Sequence, residues 1–209
     1  MFVNRHHIWA KIDDRFRFMQ YLIRIFPKLE KSHKEYMISM FSDTASRLAE
    51  GDKDVELSIE SQLSARYYET QDNKNIFYQA MLIMVYSYYE TCINLINKEL
   101  GDTKSIKGKD IASSIIDNNK IYLTEIIAED KQFIYEAVRE FRNFIVHNNA
   151  VKPTDKQDEA IKILVEQYSE IKYDNYEVNI TDNRFIIDIL IKEYNVLRYI
   201  CTALGYCKA

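Results

Sequence analysis

The chain is predicted to be all-α, a single-domain helical bundle with an N-terminal helical extension, and three observations predict it. Only four glycines and two prolines occur in 209 residues, so the residues that punctuate hairpins and tight turns are scarce. Apolar residues recur at spacings of three and four along most of the sequence, the period of a helix with one buried face. A hydrophobic content of 47% in a chain of this length supports one well-packed core and leaves too little for two comfortable ones.

Residues 4–50 read as two helical stretches hinged near Pro27. On the first, Ile8, Ile12, Phe16, Met19 and Ile23 form an amphipathic stripe. The second runs from Leu29 to Ala49 and stops at Gly51-Asp52. A third helix spans Val55 to Glu69, and Gln71 to Lys74 interrupts. The central helix, Asn75 to Leu100, ends at Gly101, with glycine just past the last turn. Thr103 to Lys109 is a polar loop, followed by a short helix at Asp110 to Ile116 and a turn at Asp117 to Lys120.

The next helix runs from about Glu129 to His147 and gives out in Asn148-Asn149, with Pro153 barring continuation. A helix from Asp155 to about Ile171 follows. Tyr176 to Thr181 alternates like an extended piece for which no partner strand is evident. Thr181 is the expected N-cap of a last helix whose stripe is Phe185, Ile189, Leu190, Leu197, Ile200 and Leu204. No repeat or linker-like tract divides the chain. Residues 1–70 are assigned to the extension and 71–209 to the core bundle.

Bulk properties exclude several function classes. The formal net charge of −4 leaves no global positive potential for avid binding to long nucleic acid. The most apolar window, Ile76 to Ile96, carries Gln79, Glu90, Thr91 and Asn94, which suits a buried core helix and no membrane span. Three cysteines, Cys92, Cys201 and Cys207, have no paired metal-ligand spacing, and the N-terminus does not resemble a signal peptide. A cytoplasmic location is expected. His6-His7 with Asp13-Asp14 is a poor metal site, because adjacent helical residues point about 100° apart. No cofactor and no metal are expected, and no glycine-rich phosphate loop, nucleophile elbow or thiol beside a histidine occurs.

The chemistry-bearing stretch is Arg142-Asn143-Phe144-Ile145-Val146-His147. On a helical wheel Phe133, Ile134, Ala137, Val138, Phe141, Phe144 and Ile145 share a core face, while Glu136, Arg139, Glu140, Asn143 and His147 lie opposite. Arg142 lies at an edge, about 140° from His147, whereas Asn143 is the histidine's neighbour at i−4. Arginine offers a cationic fork matched to phosphate oxygens, and histidine moves protons near neutral pH, a pairing that suits a phosphodiester. His147 would take the proton of a ribose 2′-OH as it attacks the adjacent phosphate, and Arg142 would stabilise the charge gathering there. Asn143 would orient the imidazole or hold a phosphate oxygen. A two-fold homodimer would supply the second histidine that the leaving 5′-oxygen needs. The same residues also fit a blander arrangement, a surface ion pair for Arg142 and a C-terminal helix cap for His147.

This R-[polar]-x-x-x-H spacing, late in a long amphipathic helix and followed by Asn148-Asn149, resembles the signature of the HEPN superfamily. These are all-helical domains, many of them metal-independent ribonucleases. The resemblance extends to the central helix, where Ser87-Tyr88-Tyr89-Glu90-Thr91-Cys92 is similar to the long second core helix that often carries an acid, which makes Glu90 a secondary candidate. Glu90 also fits a simple polar stripe with Ser87, Thr91, Asn94 and Asn97. The resemblance implies a composite site at a dimer interface, RNA or a nucleotide as ligand, and bacterial toxin–antitoxin or antiphage defence with an antitoxin as partner. The competing expectation is a non-catalytic HEPN module for nucleotide or RNA binding or for dimerisation. Family members silenced by adenylylation carry a tyrosine two residues after the histidine, where this chain has Asn149. Tyr135 or Tyr122 would have to replace it. The remaining tyrosines, among them Tyr67-Tyr68, Tyr86 and Tyr88-Tyr89, fit core aromatics better than base-stacking platforms.

Overall fold

A computed structural model describes residues 6–49, 52–69, 72–101, 110–147 and 152–208. The elements in order are α1 (His6–Leu48), α2 (Lys53–Glu69), α3 (Asp72–Glu99), α4 (Ile111–Asn118), α5 (Glu125–Phe133), a π-helical turn (Ile134–Val138), α6 (Arg139–His147), α7 (Asp155–Gln167), β1 (Ile171–Asp174), β2 (Glu177–Ile180) and α8 (Arg184–Ala203). The expected loop at Thr103–Lys109 and the exit at Asn148-Asn149 lie outside the described residues. Helix dominates, as the composition predicts.

The core forms where α3 and α8 pack together and receive α1 and the motif helix. Its largest fully buried side chains include Tyr78, Leu82 and Ile96 of α3, Phe141 and Phe144 of α6, and Phe185 of α8. Ile8, Ile12, Met19 and Ile23 of α1 join that core. Farther along, Phe41 and Ala45 are buried where α1 meets α2. No described helix is long and apolar enough to cross a membrane.

The hinge expected at Pro27 is corrected: α1 runs unbroken from His6 to Leu48 with Pro27 inside it. Proline has no N–H to give the carbonyl four residues back, which ordinarily breaks or kinks a helix. Here that carbonyl, of Ile23, accepts a hydrogen bond from Asn183 Nδ2 at 2.7 Å. A buried side chain 160 positions away in sequence thus satisfies the group that the proline orphans. Asn183→Ala is expected to destabilise the protein by roughly 1–3 kcal/mol, the cost of an unsatisfied buried acceptor. The loss should shrink in a Pro27→Ala background, where residue 27 regains its own N–H. Urea unfolding of the four proteins in a double-mutant cycle measures the difference.

The segment after α7 also departs from the expected helix. Helix α7 ends at Gln167, and Ile171–Asp174 leaves it to pair antiparallel with Glu177–Ile180. The missing partner strand begins at Ile171, the residue at which the helix was expected to end, and continues to Asp174. Asn175 and Tyr176 connect the strands with φ of 49° and 64°, left-handed at both positions as a two-residue hairpin turn requires. The outer edge of β2 is occupied by α3: Asn75 Nδ2 donates to Val178 O at 2.9 Å, Ile180 N donates to Asn75 Oδ1 at 2.8 Å, and Gln79 Nε2 also donates to Val178 O. Thr181 does not cap α8. Its hydroxyl donates to Glu170 O, and the N-terminal amide of Arg184 donates instead to Asp182 Oδ1.

Candidate functional site

The helix that carries Arg142 and His147 starts earlier than expected, at Glu125, and is wound more loosely over Ile134–Val138 before α6. Such π turns are rare and recur at functional sites. Ile134, Ala137, Val138, Phe141, Phe144 and Ile145 are buried, as the wheel predicts, and Phe133 is half-buried. These contacts hold the helix against α3, α7 and α8 and leave its opposite side for Glu136, Arg139, Glu140, Asn143 and His147.

Arg142 is half-buried. Its guanidinium lies over the Tyr86 ring, 5.8 Å from the centroid, and Nη1 donates to Asn143 Oδ1 at 3.0 Å. Its Nε is buried with no partner among the described residues. Asn143 is therefore engaged with the arginine rather than with the imidazole. His147, the last residue of α6, is exposed, at the end where the helix dipole favours a cation. The structure brings Arg142 and Asn143 together and sets His147 beyond them at the helix end.

Glu90 is exposed on α3, one turn after Tyr86. The Tyr86 hydroxyl is the point at which these charges meet. Burial raises its pKa most, Glu90 and Glu193 raise it further, and Arg139 and Arg142 lower it. Glu90 and Arg142 thus share an electrostatic neighbourhood, although no direct bond joins them among the described residues.

Two groups escaped the sequence reading. Glu193 is 0% exposed in the middle of α8, and neither carboxylate oxygen has a partner among the described residues. Burial, and then the charge of Glu90, holds its pKa well above the ordinary carboxylate value. A signal for it existed: Ile186, Ile189, Leu190, Val196, Leu197 and Ile200 define the buried stripe of α8, and position 193 falls in the gap of that stripe. The other is Arg139, whose guanidinium lies over the Tyr135 ring at 4.8 Å and 3.9 Å from Glu140 Oε1.

Among the described residues no group of three or more His, Cys, Asp or Glu is arranged to hold a metal ion. Asp13, one of the residues weighed for a metal, instead accepts from Arg17 and from the Tyr194 hydroxyl. Burial pushes the Cys92 and Cys201 thiols up to about 12, which suits inert core cysteines. Tyr122 is 87% exposed, and its carbonyl accepts from the Tyr199 hydroxyl.

Fold and site together define a mostly helical protein with a small two-stranded hairpin, in which one core-packed helix ends in a half-buried arginine–asparagine pair and an exposed histidine. No protein-family model, curated protein or solved structure matches the chain.

Proposed function

We propose that the chain is a metal-independent endoribonuclease of HEPN type that works as a homodimer, with each protomer contributing Arg142 and His147 to a shared cleft. The observation that carries this reading is the grouping of Arg142, Asn143 and an exposed His147 at the end of one helix. Asn143 and Tyr86 hold the guanidinium in place, and a pre-positioned cation is what a phosphorane-like transition state requires. One histidine removes the 2′-OH proton, the 2′-oxygen bonds to phosphorus, and the P–O5′ bond breaks as the second histidine protonates the leaving oxygen. The products are a 2′,3′-cyclic phosphate and a 5′-OH. By analogy with the family, the biological setting is bacterial toxin–antitoxin or antiphage defence, with an antitoxin as partner, in the cytoplasm.

Purified protein incubated with RNA in EDTA is expected to generate these termini, and Arg142→Ala is expected to abolish their formation. Cleavage that needs an added divalent ion, or that Arg142→Ala leaves intact, rules the reading out. A second reading is a non-catalytic RNA- or nucleotide-binding module. It draws on the way Arg142 is tied to Asn143 and Tyr86, which equally suits a structural arginine. Binding without turnover, lost in Arg142→Ala, identifies it.

A further inference from the structure

A cleft of about 490 Å³ opens between α7 and the start of α6, and the reaction above does not use it. Tyr135, Glu136, Arg139 and Glu140 line one wall, and Lys156 and Glu159 the other. Its size falls within the range of small-ligand sites. It lies on the motif helix itself: Glu140 precedes His147 by seven residues, about 10 Å along the axis at a helical rise. That distance is within the span of a short stretch of single-stranded RNA.

The lining has a definite chemistry. The Arg139 guanidinium, a flat cation, has its central carbon 4.8 Å from the centroid of the Tyr135 ring, and unpaired bases stack on guanidinium planes. Of the carboxylates, Glu136 accepts from Gln132 Nε2 at 3.1 Å and Glu140 lies 3.9 Å from Arg139. Glu159 makes no ion pair among the described residues. An ionised carboxylate only accepts hydrogen bonds, so it selects a base edge made of donors. Guanine alone presents two adjacent donors, N1–H and the N2 amine, matched to two carboxylate oxygens. Adenine and cytosine place a ring acceptor beside their amine, and uracil flanks its one N–H with two carbonyls. A carboxylate repels both arrangements.

We infer that this cleft is a guanine subsite, in which Arg139 stacks on an unpaired guanine, Glu159 accepts from its Watson–Crick edge, and Lys156 faces the adjoining phosphate. The substrate it implies, single-stranded RNA carrying a guanine close to the cleaved bond, rests on the ribonuclease reading, whereas base selection can be measured without any cleavage.

Calorimetric titration of the full chain with GMP, AMP, CMP and UMP in EDTA tests it. GMP is expected to bind about tenfold or more tightly than the others, the discrimination a good two-point base contact supplies. Glu159→Gln, which turns half of the acceptor pair into a donor on an exposed side chain, should erase that preference. Arg139→Ala should weaken all four nucleotides together. Equal affinities, no GMP binding at millimolar concentration, a preference unchanged in Glu159→Gln, or displacement of GMP by a lysine-rich peptide that binds the cleft more tightly would each overturn the inference. GMP selectivity in a protein that cleaves no RNA leaves the subsite standing and removes the nuclease. RNA cleavage without GMP selectivity does the reverse.

Discussion

His147→Ala is expected to lower metal-independent RNA cleavage by about 10²–10⁴-fold, the usual contribution of a positioned acid–base group, while leaving the fold intact. The imidazole is exposed at the end of α6, so its removal opens no cavity, and stability should change by no more than about 0.5 kcal/mol. Arg142→Ala differs in a way that separates the two roles. Its side chain is half-buried, with the guanidinium over the Tyr86 ring, so truncation removes packing as well as charge, and both cleavage and thermal stability should fall. The dimeric mechanism adds a sharper expectation. A mixed dimer of wild-type and His147→Ala protomers has one histidine for two proton transfers and should be nearly as inactive as the doubly substituted dimer. Initial rates on a fluorogenic RNA, measured for each homodimer and for the purified mixed dimer, decide it. A mixed dimer with half the wild-type rate means independent sites and no shared cleft.

Glu193→Leu is expected to stabilise the protein by roughly 1–3 kcal/mol at neutral pH, because it removes a buried polar group that has no hydrogen-bond partner among the described residues. Among the described residues, the groups that sense its charge include Tyr86, Tyr88, Tyr89 and Cys92 on α3, and none of these is a cation. Glu90, also on α3, acts on Glu193 with the same sign. In the unfolded chain the carboxyl titrates in the ordinary range, whereas in the folded protein burial and then Glu90 hold it well above. Between those two values the unfolded chain has released its proton and the folded protein has not. Stability therefore falls as pH rises through that window. Glu193→Leu should raise the urea midpoint and flatten this decline, and Glu193→Gln should flatten it while keeping a polar group in the core. A Glu193→Leu protein that is less stable than wild type, with the pH slope unchanged, would mean that the acid is ionised and paired.

Sequence alone exposed the helical period, so most elements and the buried face of the motif helix were legible in it. Other features depended on partners remote in the chain. Pro27 reads as a hinge because local rules see only the missing N–H, and the compensating Asn183 amide arrives through tertiary packing. The hairpin was hidden because Ile171–Asp174 is four residues long, too short for alternation to stand out against the helix before it. The looser turn at Ile134–Val138 leaves no mark on the apolar pattern, since the buried positions on either side keep spacings of three and four. For the candidate site, residue type and spacing singled out Arg142, Asn143, His147 and Glu90. Which groups they meet was not legible: Asn143 turns to the arginine, and Tyr86 links the charges of two helices. The apolar stripe of α8 places Glu193 on the buried face, but Lys192 precedes it and charged neighbours ordinarily mean solvent.

A two-stranded ribbon at the margin of a helical domain is ordinarily a hazard, since its open flank invites another chain to add a strand and start aggregation. In this protein the inviting groups, the Val178 carbonyl and the Ile180 amide, are already taken by the side chain of Asn75. A single amide group imitates the missing neighbour strand, so the ribbon can be this short and still give intruding strands nothing to pair with at those positions.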